Sequence, residues 1–180
     1  MLRSECVLTA EGSLKGLVLR TRKVVIAVIG GRRAERALMK EAGEVGRLLA
    51  GRGAILVCGG LGGIMEAASR GMKSEGGLTV GILPHDHKDR ANVYIDVPIA
   101  TGLGTARNTI IARTADAVIA IGGEYGTLSE IAFALQMGKP VVGIKTWDIR
   151  GVVQVENAEA AVQKSFQLLN AGTWSSDRQD

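Results

Sequence analysis

Two ionisable residues set in apolar company, and three glycine-rich turns, carry the chemistry legible in this sequence. Glu130 closes the run Thr127-Leu-Ser-Glu and opens onto Ile131-Ala-Phe-Ala-Leu135. A helix that is apolar on every side belongs inside a domain or an interface. A carboxylate at its mouth is partly desolvated and its pKa is pushed upward, as is common at functional sites. The same four residues also fit a capping box, with Thr127 accepting from a backbone N–H and Glu130 reaching back to the cap. A ligand or catalytic role and a capping role therefore both stay open. Arg107 stands three and four residues before Ile110 and Ile111, on the inward stripe of its helix and in the first turn. An inward guanidinium there can grip a phosphate through two parallel hydrogen bonds or pair with a nearby acid.

The glycines sit where apolar runs end. The turns are Gly30-Gly31-Arg32-Arg33, Gly59-Gly60-Leu61-Gly62-Gly63 and Gly122-Gly123-Glu124-Tyr125-Gly126-Thr127. Glycine permits positive φ and close approach of a ligand, while the N–H groups opening the next helix attract an anion. The glycines of the first two turns with Arg32, the whole third turn, Arg107 and Asn108 form the candidate phosphate site, and Arg107 and Glu130 are the catalytic candidates if the protein is an enzyme. No turn completes G-x-G-x-x-G, because counting from Gly60 the sixth position is Met65, which argues against an ordinary nicotinamide-dependent dehydrogenase. His85-Asp86-His87 has no common zinc spacing, and no metal is expected.

Six apolar runs of strand length must position these turns: Val24–Ile29, Ala54–Cys58, Leu78–Leu83, Val93–Val97, Ala117–Ile121 and Val141–Ile144. They are continuous rather than alternating, as in strands covered on both faces. Helical periodicity fills 34–50, 63–74, 105–115, 127–137 and 157–170, with Gly51, Gly76, Gly138 before Pro140, and Gly172 marking helix ends. Strands alternating with helices predict an α/β, Rossmann-like, three-layer domain with a mostly parallel, doubly wound sheet. In such a sheet ligands bind beyond the carboxyl ends of the strands. Residues 1–22 read as a small hairpin or arm, 23–172 as one domain and 173–180 as a frayed tail.

Composition narrows the function further. Hydrophobic residues make up 46% of the 180 and aromatics only 3%, so the core is aliphatic and aromatic platforms for nucleic-acid bases are scarce. The net charge of +4 comes from the first 40 residues, with nine Lys/Arg against three Glu, and forms no continuous basic stripe. Nucleic acid is not an expected partner on those grounds. Cys6 and Cys58 make no disulfide framework, and no run is long enough to span a membrane, so a soluble, cytoplasmic protein is expected. The all-apolar segment 131–135 predicts self-association.

Gly122-Gly-Glu-Tyr-Gly-Thr-Leu-Ser-Glu130 resembles the P-G-G-x-G-T-x-x-E signature of the family often mislabelled lysine decarboxylases, which includes the Lonely Guy phosphoribohydrolases. Cys58-Gly-Gly-Leu-Gly-Gly-Ile-Met65, Gly76-Gly-Leu-Thr-Val-Gly-Ile-Leu-Pro84 and Thr101-Gly-Leu-Gly-Thr-Ala-Arg-Asn108 are similar to other blocks of that family, closest to its molybdenum-cofactor carrier branch. The resemblance implies a Rossmann-like fold, homodimers or homotetramers, and a site at the sheet's carboxyl edge. It also places Arg107 and Glu130 on the residues with which hydrolase members split a nucleoside monophosphate into base and ribose 5-phosphate. Gly122 stands where the signature has proline and Glu124 where it has a second glycine, and the usual histidine and lysine beside the arginine are absent. These departures favour a binding protein for molybdenum cofactor or a nucleoside monophosphate, with no cofactor required, over a phosphoribohydrolase. No decarboxylase activity is implied, since no lysine context for pyridoxal is visible.

Overall fold

The computed structural model describes residues 22–171, so the expected arm and tail lie outside it. Seven strands form one all-parallel sheet: β1 (Val25–Gly30), β2 (Ile55–Cys58), β3 (Leu78–Leu83), β4 (Val97–Ala100), β5 (Ala117–Ile121), β6 (Val141–Ile144) and β7 (Val152–Val155). Their spatial order is β4-β3-β2-β1-β5-β6-β7. The helices are α1 (Arg36–Gly51), α2 (Ile64–Ser74), α3 (Asn108–Thr114), α4 (Tyr125–Gln136) and α5 (Ala158–Asn170). This is the expected Rossmann-like α/β architecture.

Alternation along β1 shows how the layers form. Ile26 and Val28 pack with Ala42, Val45 and Leu49 of α1, Ala68 and Met72 of α2, and Ala161 and Val162 of α5. Ala27 and Ile29 point the other way, onto Ile111 and Ala112 of α3 and Ile131 and Ala134 of α4. Both faces are covered, which explains the unbroken apolar runs. After β1 the chain winds outward through β2, β3 and β4, then crosses the opposite face on α3 to enter beside β1 as β5. The winding reverses between β1 and β5, and a crevice opens there at the strands' carboxyl ends.

The sheet is asymmetrically finished. Val93–Val97 was expected as a strand, but β4 begins only at Val97 and Val93 is 88% exposed. Local side-chain bonds hold 92–96 in a turn instead. Asn92 Oδ1 accepts from Tyr94 N, and Asp96 accepts from Thr79 N and Lys73 Nζ while its own N–H donates to Thr79 Oγ1. Such contacts offer the backbone an alternative to the ladder. Burial alone would raise the Asp96 carboxyl, but the hydrogen bonds from Lys73 and Thr79 outweigh it and hold the group below its usual range. β7 was not expected, because Gln154 interrupts its short apolar run; the Gln154 amide donates to Trp147 O at the sheet edge. The helix expected over 105–115 is a 3-10 turn at Gly104–Arg107 followed by α3. α1 runs through Gly51, and the positive φ falls at Gly53.

α1 and α2 approach until their backbones touch. A methyl group on Gly46 would collide with the carbonyl of Ala68, and one on Gly71 with the carbonyl of Gly43. Backbone cannot yield as a flexible side chain can, so Gly46→Ala should cost about 1–3 kcal/mol of stability. Gly51→Ala, with nothing within 4 Å of the added carbon, should be neutral or stabilising. Urea denaturation of the two variants side by side measures the contrast, and equal midpoints would show that the helix contact is not tight.

Candidate functional site

A cleft of about 420 Å³ opens at the crevice between β1 and β5. That volume suits a small organic ligand. Its wall is assembled from five stretches of chain: Gly30 to Arg33 after β1, Met65 in α2, Pro84 after β3, Gly104 to Asn108 at the start of α3, and Glu124 to Glu130 at the start of α4.

α4 begins two residues earlier than its periodicity suggested. Glu124 is its N-cap, with no hydrogen bond from its side chain to the helix, and Thr127 lies inside the first turn. The capping box therefore does not form. Glu130 is turned inward instead, 7% exposed and buried against Arg107. The N–H groups of Tyr125, Gly126 and Thr127 belong to a helical first turn and have no acceptor within the helix. Gly122 and Gly123, both at positive φ, make the corner that aims them. Thr146 Oγ1 donates to Gly122 O at 2.6 Å, and Gly122 N donates to Ile144 O at 3.0 Å, so the corner is pinned to the end of β6.

Arg107 closes the 3-10 turn that leads into α3, and its guanidinium is as buried as Glu130. Room for it exists because position 59 has no side chain: a Cβ on Gly59 would strike both terminal guanidinium nitrogens and the Met65 sulfur. Arg107 Nη1 stands 3.6 Å from Glu130 Oε1, too far for a hydrogen bond. Nη1 and Nε are both buried and have no hydrogen-bond partner among the described residues. Desolvation lowers the Arg107 pKa, partly offset by Glu130. Desolvation likewise raises Glu130, to about 7, and Arg107 offsets only part of that rise. The pair is therefore an incompletely matched one, holding donors that nothing among the described residues satisfies. Burial also pushes up the thiol of Cys58, which sits beneath Gly59 and Gly60.

Of the residues expected at the site, Gly30, Gly31, Arg32, Arg107, Asn108, Glu124, Gly126, Thr127 and Glu130 line the cleft. Gly59, Gly60, Gly62, Gly63, Gly122, Gly123 and Tyr125 do not. The second glycine turn acts from behind: Gly63 has no room for a Cβ against Gly31 and Arg32, and Ile64 N donates to Gly31 O at 3.1 Å. It spends its helix N-terminus on the first loop rather than offering it to a ligand. Asn108 is mostly a tether, with Nδ2 donating to Ser129 Oγ at 2.9 Å and thereby joining α3 to α4. Arg33, Met65, Pro84, Gly104 and Thr105 were not anticipated. Arg33 could have been found as the second half of an Arg-Arg pair on a ligand-facing turn. Met65 is both buried and part of the cleft lining. In the loop His85-Asp86-His87 the first histidine is half-buried and the other two residues are exposed, and among the described residues no three His, Cys, Asp or Glu side chains gather as a metal site.

The raised Glu130 pKa has a consequence for stability. Between the ordinary value of 4.5 and about 7 the folded chain binds the proton that the unfolded chain has lost, so stability falls as pH rises through that window. A shift of this size corresponds to about 3 kcal/mol. Urea denaturation at steps from pH 5 to 8 should show the decline in the wild type and not in Glu130→Gln; parallel profiles would mean Glu130 is not the desolvated group described.

Comparison with known proteins agrees with this fold. The model of the SLOG cluster4 family matches residues 23–171. The molybdenum cofactor binding protein of Rippkaea orientalis superimposes with a TM-score of 0.78 at 36% identity, covering 82% of this chain and 98% of that one. The molybdenum cofactor carrier protein of Chlamydomonas reinhardtii gives 0.74 at 34% identity, covering 83% and 99%. A cytokinin riboside 5'-monophosphate phosphoribohydrolase of Mycobacterium tuberculosis is 35% identical over 61% of this chain and 64% of its own length. No helix among the described residues is long and apolar enough to cross a membrane. With the family model spanning nearly the whole described chain, this protein belongs to the SLOG cluster4 family.

Proposed function

We propose that the cleft binds the phosphate end of a small ligand, with molybdenum cofactor as cargo or a nucleoside monophosphate as the candidates. One observation carries this reading: Arg107 keeps Nε and Nη1 buried and unpartnered. Orphaned donors of this kind cost several kcal/mol of desolvation unless a partner arrives. An anion supplies it. Arg107 would hold the phosphate from one side and the N–H groups of Tyr125, Gly126 and Thr127 from the other, with Arg32 and Arg33 adding charge at the rim. The likeness to molybdenum-cofactor proteins supports that cargo, since the cofactor ends in a phosphate. Self-association belongs to the same reading, with Ala132 exposed and Phe133 and Leu135 only half-buried on α4.

Equilibrium titration tests the binding. Molybdopterin or a nucleoside monophosphate should bind saturably and be displaced by inorganic phosphate, and Arg107→Ala should weaken binding by about tenfold to a hundredfold. Absence of saturable, phosphate-competed binding in the wild type would end the proposal.

Glu130 favours a second reading, a phosphoribohydrolase. A carboxyl group titrating near 7 can give or take a proton at neutral pH. With Arg107 orienting the ribose phosphate, Glu130 would assist departure of the base through an oxocarbenium-like transition state. Glu130→Gln should then lower release of free base from AMP by at least about a hundredfold. Equal rates of release from wild type and variant would exclude this mechanism.

A further inference from the structure

Two consecutive side chains open α4, Glu124 in the lining of the cleft and Tyr125 just outside it. Glu124 lines the cleft as the N-cap of α4, and its carboxylate takes no hydrogen bond from the helix it caps. Tyr125 follows and is 80% exposed, an unusual position for an aromatic ring in a chain with so few of them. Its ring is not loose. Its centroid lies 6.0 Å from that of Trp147, with the planes at 35°, a stabilising aromatic spacing. Trp147 is brought there by the loop after β6, where Lys145 adopts a left-handed φ of 46° and Thr146 is bonded to Gly122. Left-handed backbone at a bulky residue costs energy and concentrates at functional sites. The strained loop thus backs an exposed aromatic face beside an unpaired carboxylate.

We infer that Glu124 and Tyr125 read the head group of the ligand, selecting a planar heterocycle with two adjacent N–H donors on one edge, the 2-amino-oxo arrangement of a guanine or a pterin. This rests on the proposed phosphate site, which fixes the other end of the ligand. The two oxygens of a carboxylate accept two parallel N–H bonds, and a ring lying over Tyr125 adds stacking. An adenine ring presents a single amino donor beside a bare ring nitrogen, whose lone pair would face the carboxylate. A glycine at position 124 could make no such distinction, so the departure from the family's signature becomes the source of selectivity.

Calorimetric titration with ribose 5-phosphate, AMP and GMP separates this inference from the reading beneath it. GMP should bind at least about tenfold more tightly than AMP. In Glu124→Gln, whose amide offers one donor and one acceptor, that ratio should collapse towards one. Tyr125→Ala should weaken both nucleotides towards the affinity of ribose 5-phosphate. Both positions are exposed, so the variants should fold normally. If ribose 5-phosphate binds but wild type holds GMP and AMP equally, or if Glu124→Gln keeps the full preference, the head-group inference is wrong while the phosphate site stands. If none of the three binds, the nucleotide form of the phosphate reading fails and this inference with it.

Discussion

The buried guanidinium of Arg107 is the constraint around which the rest of the site is arranged. Placing a cation out of water costs several kcal/mol even after relaxation, and a single acid at 3.6 Å does not recover it in full. A chain under pressure for stability alone would place an aliphatic side chain there. The retained charge requires an empty position at Gly59, a methionine floor at Met65 and a carboxylate across the cleft at Glu130. Each belongs to a different element, so their meeting depends on the reversal of winding between β1 and β5. The energetic deficit and the topology are two aspects of one arrangement.

Seen this way, the three glycine turns do different jobs. The turn after β5 presents N–H groups, the turn after β1 supplies backbone and arginines, and the turn after β2 holds the first in place through Gly63 and Ile64. Rigidity follows from their mutual contact. Glycine at these positions is set by close approach as much as by φ, since Gly59 needs no positive φ yet a Cβ there would meet the Arg107 guanidinium and the Met65 sulfur.

Much of this was legible in the sequence, and the exceptions have physical reasons. Continuous apolar runs gave five of the seven strands within a residue or two, because burial on both faces leaves no polar interruptions. Val93–Val97 misled because its β-prone residues are overruled by the Asn92–Tyr94 bond within the turn and by the bonds of Asp96 to Thr79, which lies in another strand. β7 escaped because Gln154 at the edge of the sheet breaks the pattern that burial would impose. Arg107 and Glu130 were singled out from their apolar neighbours, yet nothing in their spacing says that they face each other. The supporting role of Gly59 to Gly63 was equally hidden, since a glycine that touches a ligand and one that touches another loop look alike in one dimension.

The cleft wall starts at Gly30 and is completed only by Glu130, with α2, the end of β3 and the entry to α3 contributing between them. No contiguous fragment of the chain contains it. A nascent polypeptide that has not yet released α4 from the ribosome lacks the N–H groups of its first turn and the counter-carboxylate of Glu130, and β5 must still insert beside β1 before the two halves meet. The cleft is thereby a late product of folding, complete only once the sheet has closed around β5.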